Sequence, residues 1–409
     1  LDHDREVSRS PVGTRGPTPP VDDVRLRGFA DRVSLERALS WVDRHGARLE
    51  AEDVGAAGAA GRVPAAALLS PTDLPPADRA GEDGYAVRSG DTVGASAYAP
   101  ALLRIQQGPG PLAPGGAALV AAGEALPGGA DAILAFEVAQ ATGPSLEVIA
   151  SVAEGNGIER AGQAARAGAP CAVAGRPLRP HEVGLLAALG VDRSSVVRRP
   201  RVRLVVAGAK AGAADANGPM LRALVERDGG AVEAPPAGAS VREAILRAVR
   251  EPGADVVVAT GRTGTGPDDE APLALAQAGE LAVHGVALRP GGSAGLGLAG
   301  TLPVVLLPGD PLACLCAYEF LAGRLVRRLA GRDPGLPYST REAEVGRKIV
   351  SAIGSVDVCQ VRLVEGRVEP LGVAEFGGLA SAAGADGFVV VPAALEGYAP
   401  GVRVTVHLY

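Results

Sequence analysis

Lysine is nearly missing from this chain of 409 residues: Lys210 and Lys348 stand alone among 40 basic side chains, the rest being arginine. Such a bias reads as genome composition, which accounts for Lys-to-Arg replacement but not for lost carboxylates. Aromatic residues make up 3%, too few for the stacking platforms that hold single-stranded nucleic acid. The formal charge of −6 argues against nucleic acid or an anionic membrane as the main partner. No apolar run reaches the ~18 residues of a membrane span, and Leu1 to Val7 are charged and polar, without the apolar core of a signal peptide. No membrane partner and a cytoplasmic location are therefore expected. Cys171, Cys314, Cys316 and Cys359 lack metal-type spacing and read as buried thiols of a reducing compartment. The histidines are scattered, and none is assigned to a metal or to catalysis. Phosphate-loop and dinucleotide fingerprints do not occur, which disfavours nucleotide triphosphatase and hydride-transfer chemistry.

What the chain has in excess is glycine (57) and proline (33), within an otherwise ordinary 47% hydrophobic content. This excess punctuates several modules. Residues 1–30, rich in charge, Pro and Gly, read as a flexible leader. Ser34 can cap a helix running to about His45, with Leu35, Leu39 and Val42 as its buried stripe. Short alternating apolar runs between Ala101 and Val152 predict a small all-β domain. Pro180 opens a helix that Gly190 ends. From Arg201 to about 335, strands alternate with helices, which predicts a mostly parallel α/β sheet with ligands at the C-terminal strand ends. A single helix is expected over Leu312–Leu329. The tail returns to strands and reads as a small barrel or sandwich. The expected fold class is α/β plus β. Its divisions are 31–90 with 156–198 as a discontinuous N-terminal domain, 91–155 as the β domain, 199–335 as the α/β domain and 336–409 as the C-terminal β domain.

Three loops follow the best strands of the α/β module and should share one rim. The first runs from Ala207 through Asp215 and Asn217 to Met220, the second is Thr260-Gly-Arg-Thr-Gly-Thr-Gly-Pro-Asp268-Asp269-Glu270, and the third is Leu307-Pro-Gly-Asp-Pro311. Glycine-rich loops that feed helix N-termini expose backbone N–H groups suited to phosphate or another anion. Thr260, Thr263 and Thr265 would add hydroxyl donors. Asp268, Asp269 and Glu270 could hold a hydrated Mg²⁺. The alternative is that these are plain turns of a Gly-rich protein, with the acids as solvated caps. Glu82-Asp83-Gly84-Tyr85 carries the same two readings, a site or a turn.

The segments taken in order resemble a known family. Pro71-Thr-Asp-Leu-Pro-Pro76 followed by Glu82-Asp-Gly-Tyr-Ala-Val-Arg88 is similar to the "DLPPF…MDGYAVR" stretch of the molybdopterin molybdenumtransferase (MoeA-like) family, which includes the C-terminal part of gephyrin. Leu126-Pro-Gly-Gly-Ala-Asp-Ala132 is similar to its "LPxGADAV", and Pro180 to Gly190 to its "xEIGLLAALG". Asn217-Gly-Pro-Met-Leu221, Thr260-Gly261, Arg289-Pro-Gly291 and Leu307-Pro-Gly-Asp-Pro311 follow in the family's order, so the resemblance covers about Val33 to Tyr409. It implies an elongated four-domain homodimer whose three-layer α/β domain binds molybdopterin and whose N-terminal linker domain serves dimerisation. The implied reaction takes adenylylated molybdopterin and molybdate, with Mg²⁺, releases AMP and inserts the metal. Carried over by motif, Asp83 and Asp269 are the catalytic acids, Asp83 entering the partner's cleft. Asn217, Thr260, Gly261, Thr263, Gly264, Thr265, Gly266, Arg289, Pro308, Gly309, Asp310 and Pro311 are ligand-binding, and Asp268, Asp269 and Asp310 are metal-binding.

The departures cluster on the chemistry. The family's "RGED" reads Arg160-Ala-Gly-Gln-Ala164, "TGDEL" reads Ala207-Gly-Ala-Lys-Ala211, and "DD" reads Ala239-Ser240. "KPGKP" reads Arg289-Pro-Gly-Gly292-Ser293, which loses a lysine outright. Near Ser355–Gln360 both arginines of "GRxEFxR" are missing. Three functions stay open at this point: an active transferase with a remodelled site, a member that binds molybdopterin or a partner protein without turnover, and a nucleotide pyrophosphatase of the competence-damage type.

Overall fold

The computed structural model describes residues 23–207, 214–233, 240–371 and 378–409. The expected departures at 208–211 and at Ala239, and most of the expected leader, lie outside the described residues. The chain divides into two compact units, 52–196 and 1–51 with 197–409.

In the first unit a six-stranded sheet runs in the spatial order Ala132–Leu134, Gly84–Val87, Gly116–Val120, Ala101–Ile105, Ser145–Val148, Ala139–Thr142. Val87, Leu103, Ala117, Leu134, Leu146 and Val148 fill one side of it, as the alternating apolar pattern requires. The strand that follows Asp83 is central here and pairs on both edges, so a domain boundary at residue 90 is corrected: 84–87 belongs to the β sheet. A second cluster in the same unit joins Ala59, Ala172, Leu178, Leu186 and Val196 around the helix Pro180–Ala188.

The second unit holds the parallel sheet. Its order is Ala231–Glu233, Arg201–Val206, Val256–Thr260, Leu302–Leu307, Gly295–Ala299, Glu280–His284; the first four strands are parallel, and Gly295–Ala299 pairs antiparallel with both of its neighbours. Strand residues alternate between two helical layers. Val205, Val257, Ala259, Val304 and Leu306 face Ile245, Ala248, Ala271 and Leu275 on one side. Val202, Leu204, Val256, Val258, Val305 and Leu307 face Leu221, Val225, Leu312 and Leu325 on the other. The helix Leu35–His45 buries Leu35, Ala38, Trp41 and Val42 in that second layer, so its expected grouping with 156–198 is corrected. Ser34 caps it, accepting from Arg37 N–H.

The expected single helix over 312–329 is interrupted by a π turn at Tyr318–Ala322 between Pro311–Ala317 and Gly323–Leu329. There Glu319 meets Arg227 at 2.8 Å, and Arg327 meets Asp228 at 2.9 Å. Buried charges of both signs are tolerable only when paired.

In the tail, Val356–Val364, Arg367–Pro370, Ser339–Val345, Arg403–Leu408 and Gly387–Val391 pair in a ring that closes on itself, a five-stranded barrel filled by Val345, Cys359, Val361, Val368, Val391 and Val406.

Candidate functional site

The three loops meet at the carboxyl ends of the parallel strands. Strand Val256–Thr260 lies between its two neighbours, so Thr260 is within reach of both flanking loops. Its hydroxyl donates to Pro308 O at 2.8 Å and accepts from Asn217 Nδ2 at 3.0 Å. The same Nδ2 donates to Gly309 O at 3.0 Å, so one carboxamide staples all three loops. With its own proton spent on Pro308, Thr260 Oγ1 also faces Cys314 Sγ at 3.4 Å as an acceptor. Asn217 Oδ1 is buried without a partner. Burial pushes the Cys314 thiol up to about 12, which keeps it protonated and a poor nucleophile at neutral pH. Gly261 turns the chain at φ +90°, and a Cβ there would lie 2.9 Å from the Ala207 side chain, so only glycine fits.

Two of the three threonine hydroxyls expected to face a ligand are turned inward, a correction to the donor set. Thr260 is 1% exposed and serves the floor described above. Thr263 is equally buried, and its hydroxyl meets Ser293 Oγ at 3.1 Å. No such inward hydrogen bond holds the Thr265 hydroxyl among the described residues. What the second loop offers a ligand is main chain, arranged by its own acid: Asp269 Oδ2 accepts from Gly266 N–H at 2.7 Å. Gly264 sits so close that a Cβ there would lie 2.8 Å from that carboxylate.

The expected metal trio does not converge. Asp269 shapes the loop, Asp310 caps the helix Pro311–Ala317 by accepting from Ala313 N–H at 2.9 Å, and Asp268 reaches Arg262 at 3.5 Å. Among the described residues no three His, Cys, Asp or Glu side chains gather to hold a metal ion. Each acid answers a local need of the backbone or of a neighbouring cation, and that separates them. Pro308, Gly309 and Pro311 stand on the rim with Asn217. Arg289, expected to face an anion, forks onto buried Asp357, with Nε at 2.9 Å from Oδ1 and Nη2 on Oδ2. Ser351 Oγ donates to the same carboxylate at 2.8 Å. Asp83 lies in the other unit, where Oδ1 accepts from Ala122 N–H at 2.7 Å.

Sequence reasoning missed the outer support of the second loop. Residues 23–30, expected as leader, are seated on it: Leu26 N–H donates to Thr265 O at 2.8 Å, Arg25 Nη1 to Pro267 O at 3.3 Å, and Val24 is buried. His284 Nε2 donates to Thr263 O at 2.9 Å, which leaves Nδ1 buried and unpartnered, and the Phe29 ring stands edge-on to it at 5.0 Å. Burial lowers the His284 pKa. No local signal marks these residues, because each acts across more than 200 positions of sequence from its partner or as a lone histidine in a strand. No helix among the described residues is long and apolar enough to cross a membrane.

Comparison with known proteins extends over most of the chain. Residues 33–190 match the family described as MoeA N-terminal region (domain I and II), 203–328 match "Probable molybdopterin binding domain", and 342–409 match MoeA C-terminal region (domain IV). A molybdopterin molybdenumtransferase of Nostoc sp. is 27% identical over 357 residues, covering 81% of this chain and 80% of its own length. Molybdopterin molybdenumtransferase 2 of Mycobacterium tuberculosis is 29% identical over 298 residues, covering 66% and 73%. Two crystal structures of molybdopterin biosynthesis MoeA protein from Pyrococcus horikoshii are similar at TM-scores of 0.73 and 0.74, with 30% and 25% identity. They cover 92% and 93% of this chain, and 99% and 100% of their own.

Proposed function

The chain belongs to the MoeA family, and from that premise we propose that it works in molybdenum cofactor biosynthesis as a molybdopterin molybdenumtransferase. The observation that carries this reading is the stapled rim, on which Asn217, Thr260 and Gly309 hold three loops together at the strand ends. A rigid floor lets the amides of Gly264 and Gly309 meet an anionic group without reorganising, the condition under which backbone donors stabilise charge most. The Gly261 and Gly266 amides are spent on Leu307 O and Asp269 Oδ2 and hold the loop in shape. Thr265, Pro308, Asp310 and Pro311 line the same edge. Relatives named as transferases support turnover over binding alone.

The finer proposal is that the substrate is adenylylated molybdopterin, that molybdate supplies the metal as cargo, and that AMP leaves. Asp269 would act from the second loop, and Asp83 would act across a cytoplasmic homodimer. The described residues do not fit a resident Mg²⁺, because Asp268, Asp269 and Asp310 are each engaged elsewhere. Mg²⁺ therefore enters the proposal only as a counter-ion to substrate phosphates, which it commonly contacts with few protein carboxylates. The test is molybdate-dependent AMP release by the full chain. Release that stops in Asp269→Asn with the fold intact supports the assignment. Binding of the adenylate without any release contradicts turnover.

A further inference from the structure

The rim lacks a cation where one would help most. Arg289 is neutralised by Asp357, and position 292, a lysine in the pattern that the loop resembles, is glycine. The space above Gly292 is nevertheless filled. Arg32 lies across it: its Nε donates to Gly292 O at 3.3 Å, and a Cβ built on Gly292 would stand 3.1 Å from Nε and 3.6 Å from Cζ. The guanidinium is held from below by the face of Phe29, 4.9 Å from its centroid, a cation–π contact that leaves the amino groups exposed. It forms no ion pair with any described residue, unlike Arg289. Phe29 is seated by a second glycine: a Cβ on Gly285, at φ +91°, would lie 2.7 Å from the ring. Two missing side chains, at 285 and 292, thus make room for one segment. That segment, Asp23–Arg32, precedes the part of the chain that matches the family, which starts at residue 33.

The charge lies close to the site. Ser293, the next residue, touches Thr263 of the glycine-rich loop, and Leu26 of the same segment pairs with Thr265. We infer that Arg32, carried in from a segment distant in sequence, is a substrate-binding residue of this rim and takes a phosphate of the molybdopterin substrate. Arginine suits the task, since its planar fork can keep Nε on the Gly292 carbonyl while presenting the amino groups to phosphate oxygens. The inference deepens the proposed function and rests on it.

The test is calorimetric titration with molybdopterin of the full chain and three variants. Arg32→Ala should weaken binding about tenfold, the worth of one charge-assisted contact, with thermal stability close to the parent's. Arg32→Ala combined with Gly292→Lys should regain most of that loss, because the charge returns to the same place from the loop. Gly292→Lys alone should unseat the segment, read as faster hydrogen exchange at the Leu26 amide. Unchanged affinity in Arg32→Ala overturns the inference, and so does a folded double variant in which Gly292→Lys restores no binding. If the parent chain itself does not bind molybdopterin, the family-based reading fails instead. In that case the exchange rate in Gly292→Lys still decides whether Arg32 holds this position.

Discussion

The two halves of the rim are built by opposite means. The floor is internal: Asn217, Thr260, Cys314 and the Pro308 carbonyl satisfy one another in a buried network, and nothing from outside the α/β sheet is needed. The acidic loop is external, with Asp268 exposed, Asp269 and Glu270 half-buried, and its backbone held by His284 from one side and by residues 23–30 from another. A floor of this kind fixes where a ligand sits, whereas a loop held from outside can be retuned by changing what leans on it. Position 292 has glycine where the family pattern carries a lysine, yet the floor is intact.

The comparison can be broken by substitutions on each side. The largest effect is expected at Asn217→Ala, which leaves the Gly309 carbonyl and the Thr260 hydroxyl short of a buried donor. A loss of about 2–3 kcal/mol in denaturant unfolding is predicted, and a loss under 1 kcal/mol would mean that the staple is dispensable. Asp269→Ala should cost less, about 1–2 kcal/mol, because its acceptor serves one amide near solvent. Hydrogen exchange should speed up at Gly266 and stay unchanged at Gly309, and equal acceleration at both would erase the distinction between floor and loop.

A third effect is pH-dependent. Burial holds the folded-state pKa of His284 below its ordinary 6.5, so the unfolded chain takes up the proton first. The stability tied to neutral His284 is fully present above pH 6.5 and is lost as pH falls from there toward the folded value. His407 shifts in the same direction, so the comparison to make is between the parent and His284→Gln. The variant should show a shallower decline below pH 6.5, and an identical decline would remove His284 from the loop's support. Asp43, held low by its Arg324 partner, adds its own acid sensitivity only below about 3.8. The smallest effect is expected at Asp268→Asn. Its side chain is 79% exposed and 3.5 Å from Arg262, so the change should stay within about 0.5 kcal/mol.

What the sequence showed in advance follows the same division. Apolar periodicity located strands near 202–206, 255–259 and 304–307 and the helices near 218–228 and 241–249, because burial on both faces imposes a local pattern, whereas the helix Ala271–Ala278 was not anticipated. The motif order led to the family, and the three loops did converge. The inward turn of Thr260 and Thr263 was not legible, since a hydroxyl beside a glycine looks the same whether it serves a ligand or a neighbouring carbonyl. Nor was the dispersal of Asp268, Asp269 and Asp310, because adjacency in sequence says nothing of which backbone group each acid will satisfy. Residues 23–30 were misread as leader for a related reason: a short segment rich in charge and glycine has no periodicity of its own, and its order comes from the surface on which it rests. The helix at 35–45 was found, but its apolar stripe did not reveal that its partner lay 281 residues away, where Arg324 meets Asp43.

Amide hydrogen exchange of the full chain, with and without molybdopterin, is the most direct check on where the ligand sits. The account predicts slowed exchange at Gly264 and Gly309, with little change in the strands of the C-terminal barrel. Saturating molybdopterin that protects the barrel or the 84–148 sheet and leaves those two amides untouched would contradict it.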